Sequence, residues 1–273
     1  MSEDKVLLFI PGYNCAPQIV RVLRKLKDLP AGLIAEALVL DNRSNDDTVT
    51  AGIGVLPEIE NLALRVARNR ANYGLGGSHK AAFQYANSHG FTHVIVLHGD
   101  DQGDIGDIVP ILQAGEHRRF DACLGSRFMR GSQAPGYSKF RIFGNRVFNL
   151  LFSAASGRRV TDLGSGLNIF ARSVFADPDL ERYSDDLRFN CYLLLGLVDK
   201  RRTFRFFPIT WREEDQVSNV RLYSQTVKTL EIVRQYVLSR HSFRSEDHRA
   251  APIDAYGFDI MGQTASCEES HAG

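Results

Sequence analysis

Cysteine is scarce: Cys15, Cys123, Cys191 and Cys267 lie far apart in 273 residues, with no C-x-x-C pair. Neither a zinc knuckle nor a disulfide framework is implied, and buried or incidental thiols are expected. The chain also lacks any apolar run approaching the ~18 residues of a membrane span. Met1-Ser2-Glu3-Asp4-Lys5 lacks the basic start and long apolar stretch of a secretory signal, so a cytoplasmic location is the expectation. Charge of one sign is missing too. Lys and Arg total 33 against 32 Asp and Glu, a net charge of +1, which leaves no global field to gather nucleic acid. There is no internal repeat and no low-complexity block. What is present, 44% hydrophobic and 24% charged residues, is enough apolar mass for a full core and excludes disorder for most of the chain.

Short apolar runs recur through the first half: Val6–Ile10, Glu36–Leu40, Leu62–Val66 and Val94–Leu97. Between them, apolar residues fall at helical spacing, as in Ile19, Leu23 and Leu26. The alternation predicts an α/β fold with a mostly parallel central sheet flanked by helices. In such sheets ligands bind beyond the carboxyl ends of the strands. Those ends carry polar loops: Pro11-Gly12-Tyr13-Asn14, Asp41-Asn42-Arg43-Ser44-Asn45-Asp46, and His98-Gly99-Asp100-Asp101-Gln102.

The second half changes character. Ala122 to Thr161 contains no acidic residue, while Arg127, Arg130, Lys139, Arg141, Arg146, Arg158 and Arg159 are basic. Within it Phe140, Phe143, Val147, Leu150 and Ala154 keep helical spacing, which reads as a basic-edged amphipathic helix. Two outcomes stand for that helix: packing on the sheet, or lying at a membrane surface facing anionic lipid. The core-like spacing of Phe140 and Phe143 speaks against exposed aromatics for nucleic acid. A further helix is expected from about Leu222 to Arg240. One domain over 1–240 is therefore expected, followed by a polar tail over 241–273.

The strand-end motifs, in their order and spacing, resemble family 2 glycosyltransferases of the GT-A (nucleotide-diphospho-sugar transferase) fold. That group includes dolichyl-phosphate mannose synthase and many bacterial cell-surface sugar transferases. The resemblance covers about Val6 to Leu238. It implies that Pro11, Tyr13 and Asn14 in Ile10-Pro11-Gly12-Tyr13-Asn14, with Asp41 and Asn42, hold the nucleotide. A planar base needs an edge acceptor and a face to lie against, which Asp41 and the Pro11/Tyr13 loop can supply; a helix-capping polar turn is the other reading of Asp41–Asp46.

Asn72, Gly74 and Gly76 fall in a loop resembling the family's N-x-G-x-G, where glycines admit close backbone approach and the following helix N-terminus favours anions. A plain tight turn is the alternative. His98-Gly99-Asp100 stands in place of the metal-binding Asp-x-Asp, with Gln102 as a further metal-side residue. Hard oxygen ligands suit Mg²⁺ or Mn²⁺, and the histidine tilts the choice toward manganese.

Arg127, in a Gly-Ser-Arg segment, and Arg212, after Trp211, offer anion contacts for the diphosphate. The glycine and lysine that polyprenyl-phosphate-using members carry between Arg212 and Ser218-Asn219 are missing here. Asp185 or Asp186 is the candidate base for a hydroxyl acceptor, a phosphate acceptor needing none; a helix-dipole acid is the alternative.

The resemblance thus implies inverting transfer from a nucleotide-diphosphate sugar to a lipid-linked or glycan acceptor, metal-dependent, with peripheral contact at the inner face of the membrane open and no nucleic acid as partner. The competing class is a degenerate, non-catalytic nucleotide-sugar-binding or scaffold protein. A sugar nucleotidyltransferase would show a G-x-G-T-R loop, which Pro11-Gly12-Tyr13-Asn14 is not.

Overall fold

The four apolar runs of the first half become the parallel centre of one sheet. The computed structural model describes residues 4–213 and 222–269. Its strands are β1 (Val6–Gly12), β2 (Glu36–Asp41), β3 (Ala63–Asn69), β4 (His93–Leu97), β5 (Ala122–Ser126), β6 (Leu167–Ala171), β7 (Phe204–Pro208) and β8 (Phe258–Gln263). They form an eight-stranded sheet in the order β7-β5-β6-β4-β1-β2-β3-β8. β4, β1, β2 and β3 run parallel, β5 and β7 are parallel, and β6 and β8 are antiparallel to their neighbours.

The helices are α1 (Ala16–Lys25), α2 (Thr48–Val55), α3 (Gly74–Ser88), α4 (Val109–Gln113), α5 (Lys139–Ser156), α6 (Arg172–Phe175), α7 (Phe189–Asp199), α8 (Leu222–Leu238), α9 (Arg240–Ser245) and α10 (Ser266–Glu269). Alternate residues of β1 feed two cores. Leu7 and Phe9 meet Phe83 and Ala86 of α3 on one face, and Leu8 and Ile10 meet Ile19 and Leu23 of α1 on the other. Burial on both faces is why the central strands read as unbroken apolar runs. All four cysteines are buried thiols outside any disulfide. No helix among the described residues is long and apolar enough to cross a membrane.

Two expectations need correction. The stretch from His241 is not a tail: β8 pairs antiparallel with β3, from Arg65↔Gln263 to Asn69↔Phe258, and Thr264 accepts from the Leu64 N–H. Without it β3 would present an unpaired backbone edge. Its apolar pattern is weak because Asp259, Ile260 and Met261 are exposed.

The second correction concerns α5. Its buried residues are Asn149 and Phe152, whereas Phe140 is 79%, Phe143 67% and Leu150 70% exposed. Helical spacing groups residues on a face but does not say which face turns inward. Here the inward line is fixed by Asn149, whose side-chain amide donates to the Thr161 carbonyl at 2.6 Å.

Buried histidine sets an acid limit on the fold. His79 of α3 lies among the rings of Phe9, Phe83 and Phe189, its Nδ1 against the Leu75 carbonyl at 2.8 Å. Burial pushes it down to about 3, and burial with the neighbouring His117 pushes His93 down to about 4. Below the ordinary histidine value the unfolded chain takes up protons that the folded chain refuses, so stability falls with pH until the folded-state values are passed. Denaturant titrations should give equal stability above about pH 7 and a loss of roughly 3 kcal/mol by about pH 4 from His79 alone. His79→Gln should flatten that slope; an unchanged slope would contradict the assignment.

Candidate active site

β1 to β4 end on the same sheet edge, and their loops are tied together there. The Asn14 N–H donates to Ser44 Oγ at 2.8 Å, and the Asn45 N–H donates to Asn14 Oδ1 at 2.9 Å. The Gly99 N–H reaches the Pro11 carbonyl at 3.0 Å and the His98 N–H that of Gly166, also at 3.0 Å. Among the described residues, three of the four non-glycine residues with positive φ, Asn14, Arg43 and Asp101, sit in these loops. Sparse backbone conformations gathered at one edge mark a site held in shape by its surroundings.

Tyr13 is exposed and Pro11 buried beneath it, leaving an aromatic face open at the edge. Asp41 is fully buried. It accepts the Ser44 N–H at 3.1 Å and faces Arg68 Nε at 3.2 Å, so in this arrangement its carboxylate braces the loop from below and is covered from a ligand. Asn42 is a hub: Oδ1 accepts from Asn69 Nδ2 at 3.0 Å and from the Tyr73 N–H at 2.9 Å. Its Nδ2 donates to Asn72 Oδ1 at 2.9 Å, which also accepts the Gly74 N–H at 3.1 Å.

The glycines of this loop admit close approach, and what approaches is protein backbone. Gly76 and Gly77 N–H groups donate to the Asp185 carbonyl at 2.7 and 3.2 Å. A Cβ on Gly76 would run into the Ser184 carbonyl, and Gly74, at φ +74°, faces that of Asp185. The start of α3 is therefore docked on the Ser184–Asp186 loop.

That loop is locked further by Lys80 of α3, whose side chain is fully enclosed. Its Nζ donates to Asp185 Oδ1 at 2.7 Å, the Tyr183 carbonyl at 2.5 Å and the Glu181 carbonyl at 3.1 Å. The Tyr256 hydroxyl donates to the same Asp185 oxygen at 2.7 Å. Burial draws the Lys80 ammonium below its usual range, against the pull of Asp185. Asp186 accepts from the Ser184 hydroxyl at 2.9 Å and from the Arg188 N–H and Nε, both at 2.9 Å. Burial pushes Asp186 up, but the Arg188 and Ser184 hydrogen bonds outweigh it and hold it below the ordinary aspartate value. Neither candidate base is without partners.

Beyond β4, burial and the charge of Arg127 push His98 down to about 4, so its imidazole is neutral at physiological pH. Its Nε2 is buried without a partner, and its ring lies against Gly166. Burial raises the Asp100 carboxyl to about 6, and Asp100 Oδ1 accepts the Gln102 N–H at 3.2 Å. The Gln102 carbonyl accepts the Arg212 N–H at 2.9 Å, which brings the segment after β7 to the same edge.

Arg212 is partly exposed, its guanidinium 3.7 Å from Asp104, and is open to an anion. Arg127 is not: Nε and Nη2 donate to the two Asp162 oxygens at 2.8 and 2.7 Å, and the guanidinium stacks 4.9 Å from the Trp211 ring. Its fork is spent on joining the loops after β5 and before β6. Ser218 and Asn219 lie outside the described residues.

The family model for glycosyl transferase family 2 matches residues 8–177, a span that holds every one of these loops except those of Asp185 and Arg212. The chain belongs to glycosyl transferase family 2. A search of curated protein sequences finds no match.

Among solved structures, glucosyl-3-phosphoglycerate synthase from Mycobacterium tuberculosis matches at 17% identity with a TM-score of 0.58, over 87% of this chain and 80% of that one. S. aureus TarS 1–349 matches at 14% with a TM-score of 0.56, over 86% and 66%. The mannosyltransferase PcManGT from Pyrobaculum calidifontis, solved with GDP-Man and Mn²⁺, matches at 18% with a TM-score of 0.56, over 87% and 63%. The shared fold is GT-A.

Three residues of this family 2 protein's site escape a motif reading: Lys80, Tyr256 and Arg68. Each acts by bracing a loop residue, and nothing in the local sequence signals that; a lysine inside the apolar run of α3 was the one available hint. Among the described residues, Asp4, His93 and His117 form the only cluster of three or more His, Cys, Asp or Glu with metal-ligand spacing. It lies at the amino ends of β1 and β4, at the opposite sheet edge from the loops that follow β1 to β4, and Asp4 is already held by Arg118 at 2.7 Å and His117 at 2.8 Å.

Proposed function

We propose that this protein is an inverting glycosyltransferase that moves a sugar from a nucleotide-diphosphate donor to a lipid-linked or glycan acceptor, with Mn²⁺ or Mg²⁺ on the diphosphate. On this reading it contributes to cell-surface polysaccharide as a peripheral protein on the cytoplasmic side of the membrane. The supporting observation is the gathering of the Pro11–Asn14, Asp41–Asn45, Asn69–Gly76 and His98–Gln102 loops at one sheet edge, within the span of the family match.

Asp100 and Gln102 supply oxygen donors, and the neutral His98, with its orphaned Nε2, supplies the form of imidazole a metal requires. These residues fit a manganese ion somewhat better than magnesium. When bound, the cation neutralises charge developing on the leaving nucleotide diphosphate. Tyr13 offers the base a face, and Arg212, exposed and only loosely paired with Asp104 at 3.7 Å, is the guanidinium for the diphosphate. The bond from the anomeric carbon to the diphosphate oxygen breaks as the acceptor oxygen closes on the opposite face, inversion being what the family likeness implies.

Asp185 and Asp186 are both committed to cations. This favours an acceptor whose attacking oxygen is already ionised, a phosphate, which needs no base. The same pairings favour the second reading, a non-catalytic nucleotide-sugar-binding protein.

Incubation with UDP-, GDP-, dTDP- and CDP-sugars, with Mn²⁺ and a phosphate-bearing acceptor, distinguishes the two. Release of one nucleotide diphosphate, dependent on both metal and acceptor, is the expected result. Nucleotide binding without release under any pairing would favour the non-catalytic reading.

A further inference from the structure

Among the described residues, the outward face of α5 has no partner. Phe140, Phe143, Val147, Leu150 and Leu151 are all exposed and share one side of an 18-residue helix, opposite the Asn149 and Phe152 line that packs inward. α8 lies beside it and adds exposed Val227, Leu230, Val237 and Leu238. Large apolar side chains exposed together on one helix face mark a contact with something outside this chain.

The charge around it narrows what that is. No acidic residue occurs from Ala122 to Thr161. Among the described residues, no carboxylate pairs with Arg130, Lys139, Arg146, Arg158 or Arg159, whereas Arg141 and Arg205 are held by Glu213 and Glu116. Beyond the C-terminal end of α5 a groove of about 570 Å³ is lined by Arg130, Arg158, Arg159 and Arg205, with Phe204 and Met129.

Three guanidinium groups without a described carboxylate partner, Arg130, Arg158 and Arg159, around an open groove beyond the end of an apolar helix face, match a layer whose surface is anionic and whose interior is hydrocarbon. A symmetric dimer through this face would set the same cations against one another. We propose that α5 lies in the interface of an anionic phospholipid bilayer, Phe140, Phe143 and Leu150 entering the acyl boundary while the arginine groove takes phosphate headgroups. The inference deepens the peripheral-membrane reading above and rests on it.

The test is co-sedimentation of the full chain with vesicles of phosphatidylcholine alone and of phosphatidylcholine with about one third phosphatidylglycerol, with Mn²⁺-dependent nucleotide binding measured on the same samples. Binding to the anionic vesicles only, weakened by salt, is expected. Arg158→Gln and Arg159→Gln should each reduce partitioning about fivefold. Phe140→Ser with Phe143→Ser should reduce it by roughly tenfold or more. All four side chains are exposed, so the variants should keep the wild-type thermal midpoint.

Equal binding to both vesicles, no binding to either, or indifference to both pairs of substitutions would overturn the proposal. So would a dimer in sedimentation velocity that Phe140→Ser with Phe143→Ser dissociates, which would assign the face to a second copy. Absent vesicle binding with nucleotide binding intact defeats the membrane surface alone; vesicle binding without any nucleotide binding leaves the surface standing and defeats the donor-site reading.

Discussion

Asp185→Ala is expected to destabilise the fold by about 3 kcal/mol, because it leaves the enclosed Lys80 ammonium facing only neutral partners. At this chain length that corresponds to a fall in thermal midpoint of roughly 6–12 °C. The loss has a structural route: the Asp185 carboxylate also receives the Tyr256 hydroxyl, and it anchors the loop whose backbone carbonyl takes the first turn of α3. Lys80→Met in the same background should recover part of the midpoint by removing the uncompensated charge. A solvent-facing base would behave otherwise. If Asp185→Ala kept the wild-type midpoint and lost turnover only with hydroxyl acceptors, Asp185 would be the base and the phosphate-acceptor reading would fail.

Asp100→Ala should act the opposite way, reducing Mn²⁺-dependent turnover by at least about a hundredfold, since the carboxylate is the one anionic donor among the proposed ligands. The fold should not suffer. Burial raises the Asp100 carboxyl to about 6, so holding it ionised at neutral pH costs more in the folded chain than in the unfolded one, and removing it relieves that cost. A midpoint equal to or above wild type, together with lost metal dependence, is the expected pair of results. Full activity in this variant would move the metal site elsewhere.

The parallel centre of the sheet was legible because β1, β2, β3 and β4 are buried on both faces and read as unbroken apolar runs. The site's position followed from them, since loops after parallel strands share one edge. Two things were not legible. One was direction: the spacing of Phe140 and Phe143 fits an inward or an outward face equally, and only the packing of Asn149 and Phe152 decides it.

The other was occupancy. Arg127, Asp41, Asp185 and Asp186 are the residue types a ligand or proton needs, but each can equally be bound by its own protein. Asp162, Arg68, Lys80 and Arg188, the partners that bind them, stand from 2 to 105 positions away. The strand β8 was missed because half its residues face solvent and its role is to cover β3, a need visible only once the sheet is assembled.

Isothermal titration of UDP, GDP, dTDP and CDP into the full chain, with and without Mn²⁺, tests the central claim most directly. One nucleotide diphosphate binding in the presence of Mn²⁺, and at least about tenfold more weakly without it, is the result expected of oxygen ligands shared between protein and diphosphate. Binding of none of the four nucleotides under either condition would contradict a donor site at the carboxyl ends of β1 to β4.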